Sequence, residues 1–176
     1  SLLGASWVLH VTGITPALSA SAASAVDAAV TAARSAGATV SFDVNHRPSL
    51  WRGRDAIAVY RRLAAQADIV FAGREEAALI VGERSDDELV TAIADLGAST
   101  VALKLGAEGA LVWDEGRVLH RPAWPIRPVD TVGAGDAFVA GYLSELLRAS
   151  PTEQRLETAV AAGAFACLGR GDWESL

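Results

Sequence analysis

A chain of 176 residues lies within the size of one domain and can bury a sizeable core. A hydrophobic fraction of 51% with a net charge of −6 argues against a general grip on nucleic acid through a basic surface. The single cysteine, Cys167, excludes an intrachain disulfide and points to a reducing, cytoplasmic setting.

A β-prone run over residues 7–12 ends at Gly13, and Pro16 opens an alanine-rich helix predicted over residues 17–36 and closed by Gly37. That stretch tempts a membrane reading, but Ser19, Asp27, Thr31 and Arg34 interrupt it, so an amphipathic surface helix is expected and no membrane partner. Strands follow over residues 39–42, 68–71 and 100–105, with helices between them over 55–67, 75–81 and 86–96. This alternation implies parallel crossovers. Residues 110–113 and 117–120, joined across Asp114-Glu115-Gly116, read as an antiparallel pair. Two helices close the sequence, over 135–148 and 153–168. In the first, Phe138, Val139, Tyr142, Leu143, Leu146 and Leu147 form the expected core face. Cys167 reads as a buried thiol in an apolar run, and His10, His46 and His120 show no spacing suited to zinc. The sequence has no methionine and opens Ser1-Leu2-Leu3 without a charged leader start, so it reads as part of a longer polypeptide.

The most telling stretch is Asp130-Thr131-Val132-Gly133-Ala134-Gly135-Asp136, directly ahead of the helical run from Ala137. Glycines let the backbone approach an anion and turn its N–H groups inward, and the helix start adds the positive end of its dipole. Asp136 then stands in the first turn beside any bound phosphate. There it can orient and deprotonate a hydroxyl that receives a phosphoryl group.

The D-T-V-G-A-G-D-A-F-V-A-G sequence resembles the signature of the ribokinase-like (PfkB-type) carbohydrate kinases. The resemblance extends from Val8 to Asp172 and implies a doubly wound α/β/α sandwich, mostly parallel with an antiparallel section. It further implies that residues 1–176 are the C-terminal part of a single kinase domain, lacking N-terminal strands and a lid. Within it, Asp136 is the expected base, and Gly133, Ala134 and Gly135 hold charge on the moving phosphoryl group and the nucleotide. The implied cofactors are ATP and Mg²⁺, with a monovalent cation such as K⁺ beside Asp130.

Residues 42–51, Phe42-Asp43-Val44-Asn45-His46-Arg47-Pro48-Ser49-Leu50-Trp51, resemble the D-x-N-x-R-x-x-L-W segment of 2-keto-3-deoxygluconate kinases. The matching Arg47 is expected to take the acid of the substrate and, with Asn45, to border the nucleotide phosphates. An arginine fork suits either anion, though it also suits a purely loop-shaping salt bridge. Lys104 is the only lysine beside fourteen arginines. It stands at a strand end ahead of Gly106 and Gly109, and the resemblance makes all three nucleotide neighbours. A plain turn with a solvated lysine is the alternative. Glu76 matches the glutamate of the family's N-x-x-E segment, which acts on Mg²⁺ through water, but Gly73 stands where asparagine is usual. A helix-start carboxylate would look the same. Asp172, in Arg170-Gly171-Asp172, resembles a substrate-contacting aspartate of sugar-acid kinases.

The expected activity is therefore ATP-dependent phosphorylation of a hydroxyl on a small sugar acid, foremost 2-keto-3-deoxygluconate. Open alternatives are a neutral-sugar kinase of fructokinase or ribokinase type, and a nucleotide-binding remnant without turnover. A homo-oligomer stays open as a further partner.

Overall fold

The computed structural model describes residues 6–171, and the chain falls into two compact units, Ser1–Leu103 and Lys104–Leu176.

In the first unit, β1 (Val8–Thr12), β2 (Thr39–Asp43), β3 (Ile69–Gly73) and β4 (Thr100–Lys104, ending at the unit boundary) follow one another as hydrogen-bonded neighbours. β1 and β2 run parallel with Val8 opposite Thr39 and Thr12 opposite Asp43, and β2 and β3 run parallel with Ser41 opposite Ile69. Strands covered on both faces need continuous apolar runs, and Val40, Phe42, Val70, Phe71, Val101 and Leu103 are all buried. The crossovers carry α1 (Ile14–Leu18), α2 (Ala20–Ser35), α3 (Pro48–Trp51), α4 (Ala56–Ala64), α5 (Arg74–Val81) and α6 (Asp86–Ala94).

The single helix expected over 17–36 is divided. Ser19 has an extended backbone and its hydroxyl accepts the Ala22 N–H at 3.0 Å, so it caps α2 and ends α1. α4 is capped likewise by Asp55, which accepts the Ala58 N–H at 3.0 Å. At the amino ends of the strands Asp68 gathers three of them. Its carboxylate accepts the Val40 N–H at 2.7 Å, and its carbonyl accepts the N–H groups of Ser99 and Thr100 at 3.0 Å each.

In the second unit, a 3₁₀ turn (Gly106–Glu108) precedes β5 (Ala110–Asp114) and β6 (Arg117–Arg121), an antiparallel hairpin with Ala110 opposite Arg121 and Asp114 opposite Arg117. α7 (Ala134–Leu147) and α8 (Thr152–Ala166) pack closely because the contact faces carry glycines. A Cβ built on Gly141 would lie 3.0 Å from the Thr158 carbonyl oxygen, and one on Gly163 would lie 3.2 Å from that of Ala134. The buried face of α7 includes Phe138, Val139 and Tyr142, as its periodicity indicates, but Leu147 is 51% exposed and Glu145 is buried instead. Glu145 satisfies its carboxylate locally, accepting from Arg148 Nη1 at 2.6 Å, the Ser150 hydroxyl at 2.6 Å and Gln154 Nε2 at 3.2 Å. A charge can be buried there because the α7–α8 connection supplies its partners. Among the described residues, no helix is long and apolar enough to cross a membrane.

Candidate active site

In the second unit, the chemistry collects where α7 begins. Gly133 adopts a left-handed backbone, φ 80° and ψ −10°, which turns the chain from the 129–132 loop into the helix. The first bond of the helical ladder runs from the Ala137 N–H to the Gly133 carbonyl at 2.9 Å, while the Ala134 N–H turns back to the Thr131 carbonyl at 3.3 Å. The N–H groups of Gly135 and Asp136 precede that ladder and point along the helix axis with its dipole. Lys104, at the end of β4, brings its ammonium to the same place: a Cβ built on Gly135 would lie 3.5 Å from Lys104 Nζ. An orientation-fixed dipole and a point charge thus converge on one spot, which is the electrostatic requirement for a phosphate site.

That spot is one end of a cleft of about 500 Å³ whose walls include Lys104, Gly106, Gly109, Ala134, Gly135 and Phe138. The volume lies inside the range of small-molecule sites, roughly 300–1,000 Å³. The lining also includes Val160, Gly163 and Ala164 of α8 and Trp124, which is 52% exposed. Small side chains leave a flat slot suited to a ring. Gly109 is irreplaceable in this wall, since its φ is 106° and a Cβ there would meet the Arg121 carbonyl oxygen at 2.1 Å. Asp136 is exposed in the first turn of α7.

The loop ahead of α7 is tied down from behind. The Cys167 carbonyl, at the end of α8, accepts the Val129 N–H at 2.8 Å and the Asp130 N–H at 3.3 Å. Asp130 in turn accepts the Val132 N–H through Oδ1 at 3.0 Å and the Gly171 N–H through Oδ2 at 3.1 Å. These main-chain donors, that of Val132 foremost, hold its carboxyl below the usual carboxylate range. Cys167 itself is buried and lines the cleft. Asp172 lies outside the described residues.

In the first unit, the loop after β2 carries the other expected anion-binding groups. Asn45 takes a left-handed backbone, φ 37°, and Arg47 precedes α3 with its guanidinium exposed, Nη1 bonding the His46 carbonyl at 3.3 Å. Glu76, in the first turn of α5, spends one oxygen on each of two main-chain donors: Oε2 accepts the Gly73 N–H and Oε1 the His46 N–H, both at 2.7 Å. It therefore caps α5 and pins the loop that carries Arg47. A carboxylate so engaged retains lone pairs for water but is no open metal ligand, and among the described residues no cluster of three or more His, Cys, Asp or Glu forms a metal cage. Mg²⁺ typically keeps its waters and arrives on phosphate, which such a site accommodates without a protein cage.

The sequence motifs miss Tyr60, the hydrogen-bonded partner of His46 and Trp51, because it is a lone aromatic on an amphipathic helix. They also miss Trp124, whose setting among Ala123, Pro125 and Ile126 gives no periodic signal.

A profile of the pfkB family of carbohydrate kinases matches residues 1–176. The chain is 38% identical over 172 residues to a 2-dehydro-3-deoxygluconokinase of Bacillus subtilis (strain 168), covering 96% of this chain and 52% of that protein. It is 36% identical over 176 residues to a fructokinase of Escherichia coli, covering 96% of this chain and 57% of that protein. Among solved structures, a fructokinase double mutant from Vibrio cholerae O395, bound to fructose, ADP and a potassium ion, superimposes with a TM-score of 0.89 at 31% identity over 96% of this chain and 56% of that one. The chain spans about half the length of the curated relatives it matches. Its fold is the ribokinase-like α/β fold.

Proposed function

Because the chain belongs to the pfkB family of carbohydrate kinases, we propose that it is the C-terminal part of a single kinase domain that transfers phosphate from ATP to a hydroxyl of a small sugar acid, foremost 2-keto-3-deoxygluconate. The observation that carries this reading is the convergence of the α7 amino terminus and Lys104 Nζ on Gly135 at the mouth of a ligand-sized cleft.

On this reading, the flat part of the nucleotide lies along α8 and its phosphates run toward α7, past Gly106, Gly109 and Lys104. ATP supplies the transferable phosphoryl group. The N–H groups of Gly133, Gly135 and Asp136 hold the charge that builds on it, and that of Ala134 joins them once it leaves the Thr131 carbonyl. Asp136 orients the acceptor hydroxyl and takes its proton late in the transfer, so its alignment counts for more than its basicity. Glu76 serves Mg²⁺ through water, as both of its oxygens already accept main-chain N–H groups. Asp130 stands beside a monovalent cation such as K⁺, as the potassium in the Vibrio fructokinase suggests by analogy. Arg47, with Asn45, takes the substrate acid and borders the phosphates. Asp172 is a further substrate contact.

The preference for a sugar acid rests on Arg47 and on the 2-dehydro-3-deoxygluconokinases among the relatives. Fructokinases stand among them too, so a neutral sugar is the second reading.

The test is coupled ADP release in the full-length protein with 2-keto-3-deoxygluconate, fructose and ribose. The sugar acid should give the highest kcat/KM, and Asp136→Asn should retain ATP binding by calorimetry while kcat falls by a factor on the order of 10² or more. ATP binding without ADP release from any sugar would identify a nucleotide-binding remnant instead.

A further inference from the structure

The loop that carries Arg47 hangs on a buried phenol. Tyr60, in α4, is 0% exposed, and its hydroxyl meets Trp51 Nε1 at 2.7 Å and His46 Nδ1 at 2.8 Å. An indole N–H only donates, so Trp51 occupies one lone pair of the phenol oxygen, and the direction of the bond to His46 Nδ1 follows the imidazole tautomer. Both rings also stand edge-on to the Tyr60 ring, His46 at a centroid distance of 5.7 Å and Trp51 at 5.4 Å. Burial lifts the Tyr60 pKa to about 12, which keeps the phenol a hydrogen donor across the physiological range.

The two partners flank Arg47 in the sequence, His46 immediately before it and Trp51 at the end of α3. The main-chain N–H of His46 is held by Glu76, its carbonyl accepts from Arg47 Nη1, and its ring is held by Tyr60. The main-chain N–H, the carbonyl and Nδ1 of the residue before Arg47 are thereby engaged, yet Arg47 itself stays exposed.

We infer that Tyr60 is a positioning residue for substrate acid recognition: by locking His46 and Trp51 it sets where the Arg47 guanidinium points and so tunes affinity for the carboxylate. This rests on the reading of Arg47 as the acid-binding group.

A double-mutant cycle in the full-length protein tests it. Tyr60→Phe should raise KM for the sugar acid on the order of 5–10-fold and KM for ATP by a smaller factor, since Arg47 also borders the phosphates. In an Arg47→Ala background the same substitution should change that KM less than about twofold, because its effect runs through the missing guanidinium. An unchanged KM in the wild-type background, or an equal rise in both backgrounds, overturns the inference. If Arg47→Ala alone leaves KM for the acid unchanged, the acid-binding reading falls, and with it the link to recognition. Hydrogen exchange then decides the remaining part. Amides of residues 45–51 should exchange at least about tenfold faster in Tyr60→Phe while the β1–β2 ladder keeps its protection, and unchanged protection of that loop refutes the locking. Should Tyr60→Phe fail to fold, Trp51→Phe removes only the indole donor. It should give a smaller KM rise that likewise vanishes without Arg47, and no rise sinks the proposal.

Discussion

The two regions proposed to bind anions are built from opposite materials. At the start of α7 the groups that meet phosphate are main-chain N–H groups, aimed by the left-handed Gly133 and backed by one lysine. In the loop after β2 the binding group is a side chain, Arg47, and the scaffold holding it is made of side chains too: Glu76, Tyr60, Trp51 and the His46 ring. A main-chain site is rigid and indifferent to what the rest of the substrate is. A side-chain site can be changed residue by residue. On the proposed function, the part shared by all phosphoryl transfers is thus cast in backbone, and the part that would read the substrate in exchangeable groups.

The contrast fixes how each region should break. Adding one methyl should damage the first: Gly133→Ala forces an L-residue into φ 80°, and should cost about 1–2 kcal/mol in denaturant unfolding while weakening ATP binding at least about tenfold by calorimetry. Equal ATP affinity would show that the turn's geometry is not what grips the phosphate.

The side-chain region should announce itself through its phenol. The sequence holds two tyrosines, and burial raises both Tyr60 and Tyr142 to about 12. Ultraviolet titration of the folded protein should therefore show no phenolate step near pH 10. Below the ordinary tyrosine value, about 10, both phenols are neutral whether the chain is folded or not. As pH rises from there, the unfolded chain ionises first, and the stability these phenols confer is lost progressively up to about 12. A step near pH 10 in folded protein would mean that one phenol is wet.

The smallest effect is expected at Gly73. Its backbone is extended rather than left-handed, with φ −76°, and the nearest atom to a Cβ there would be Glu76 Oε2, at 3.5 Å. Gly73→Asn should fold with stability within about 0.5 kcal/mol of the parent, since asparagine is at least as good a helix cap. A larger loss in thermal melting would show that the Glu76 clamp leaves no room for an amide.

Most of the alternation of strands and helices, and the glycine turn into α7, were legible in the sequence, because apolar periodicity and the glycines of residues 133–135 are local signals. The division of the first long helix was not, because Ser19 inside an alanine-rich run reads as a tolerated polar residue until its hydroxyl is seen capping Ala22. Glu145 escaped for a related reason. A carboxylate on a helix counts as surface by pattern, and only the folded connection brings Arg148, Ser150 and Gln154 around it. Within the candidate site, Lys104 and Gly135 are distant in sequence, and their proximity is a property of the fold alone. Tyr60 was hidden twice over, with no motif of its own and with partners whose motif points attention to Arg47.

Asp68 carries a last consequence. By fastening β2, β3 and β4 at their starting ends, it anchors the first unit at the opposite end of the strands from the loop that bears Arg47. Cohesion is concentrated where no reactant need come, so the loops at the finishing ends are released from structural duty. A lineage of such proteins can rewrite those loops for new sugars without renegotiating the foundation.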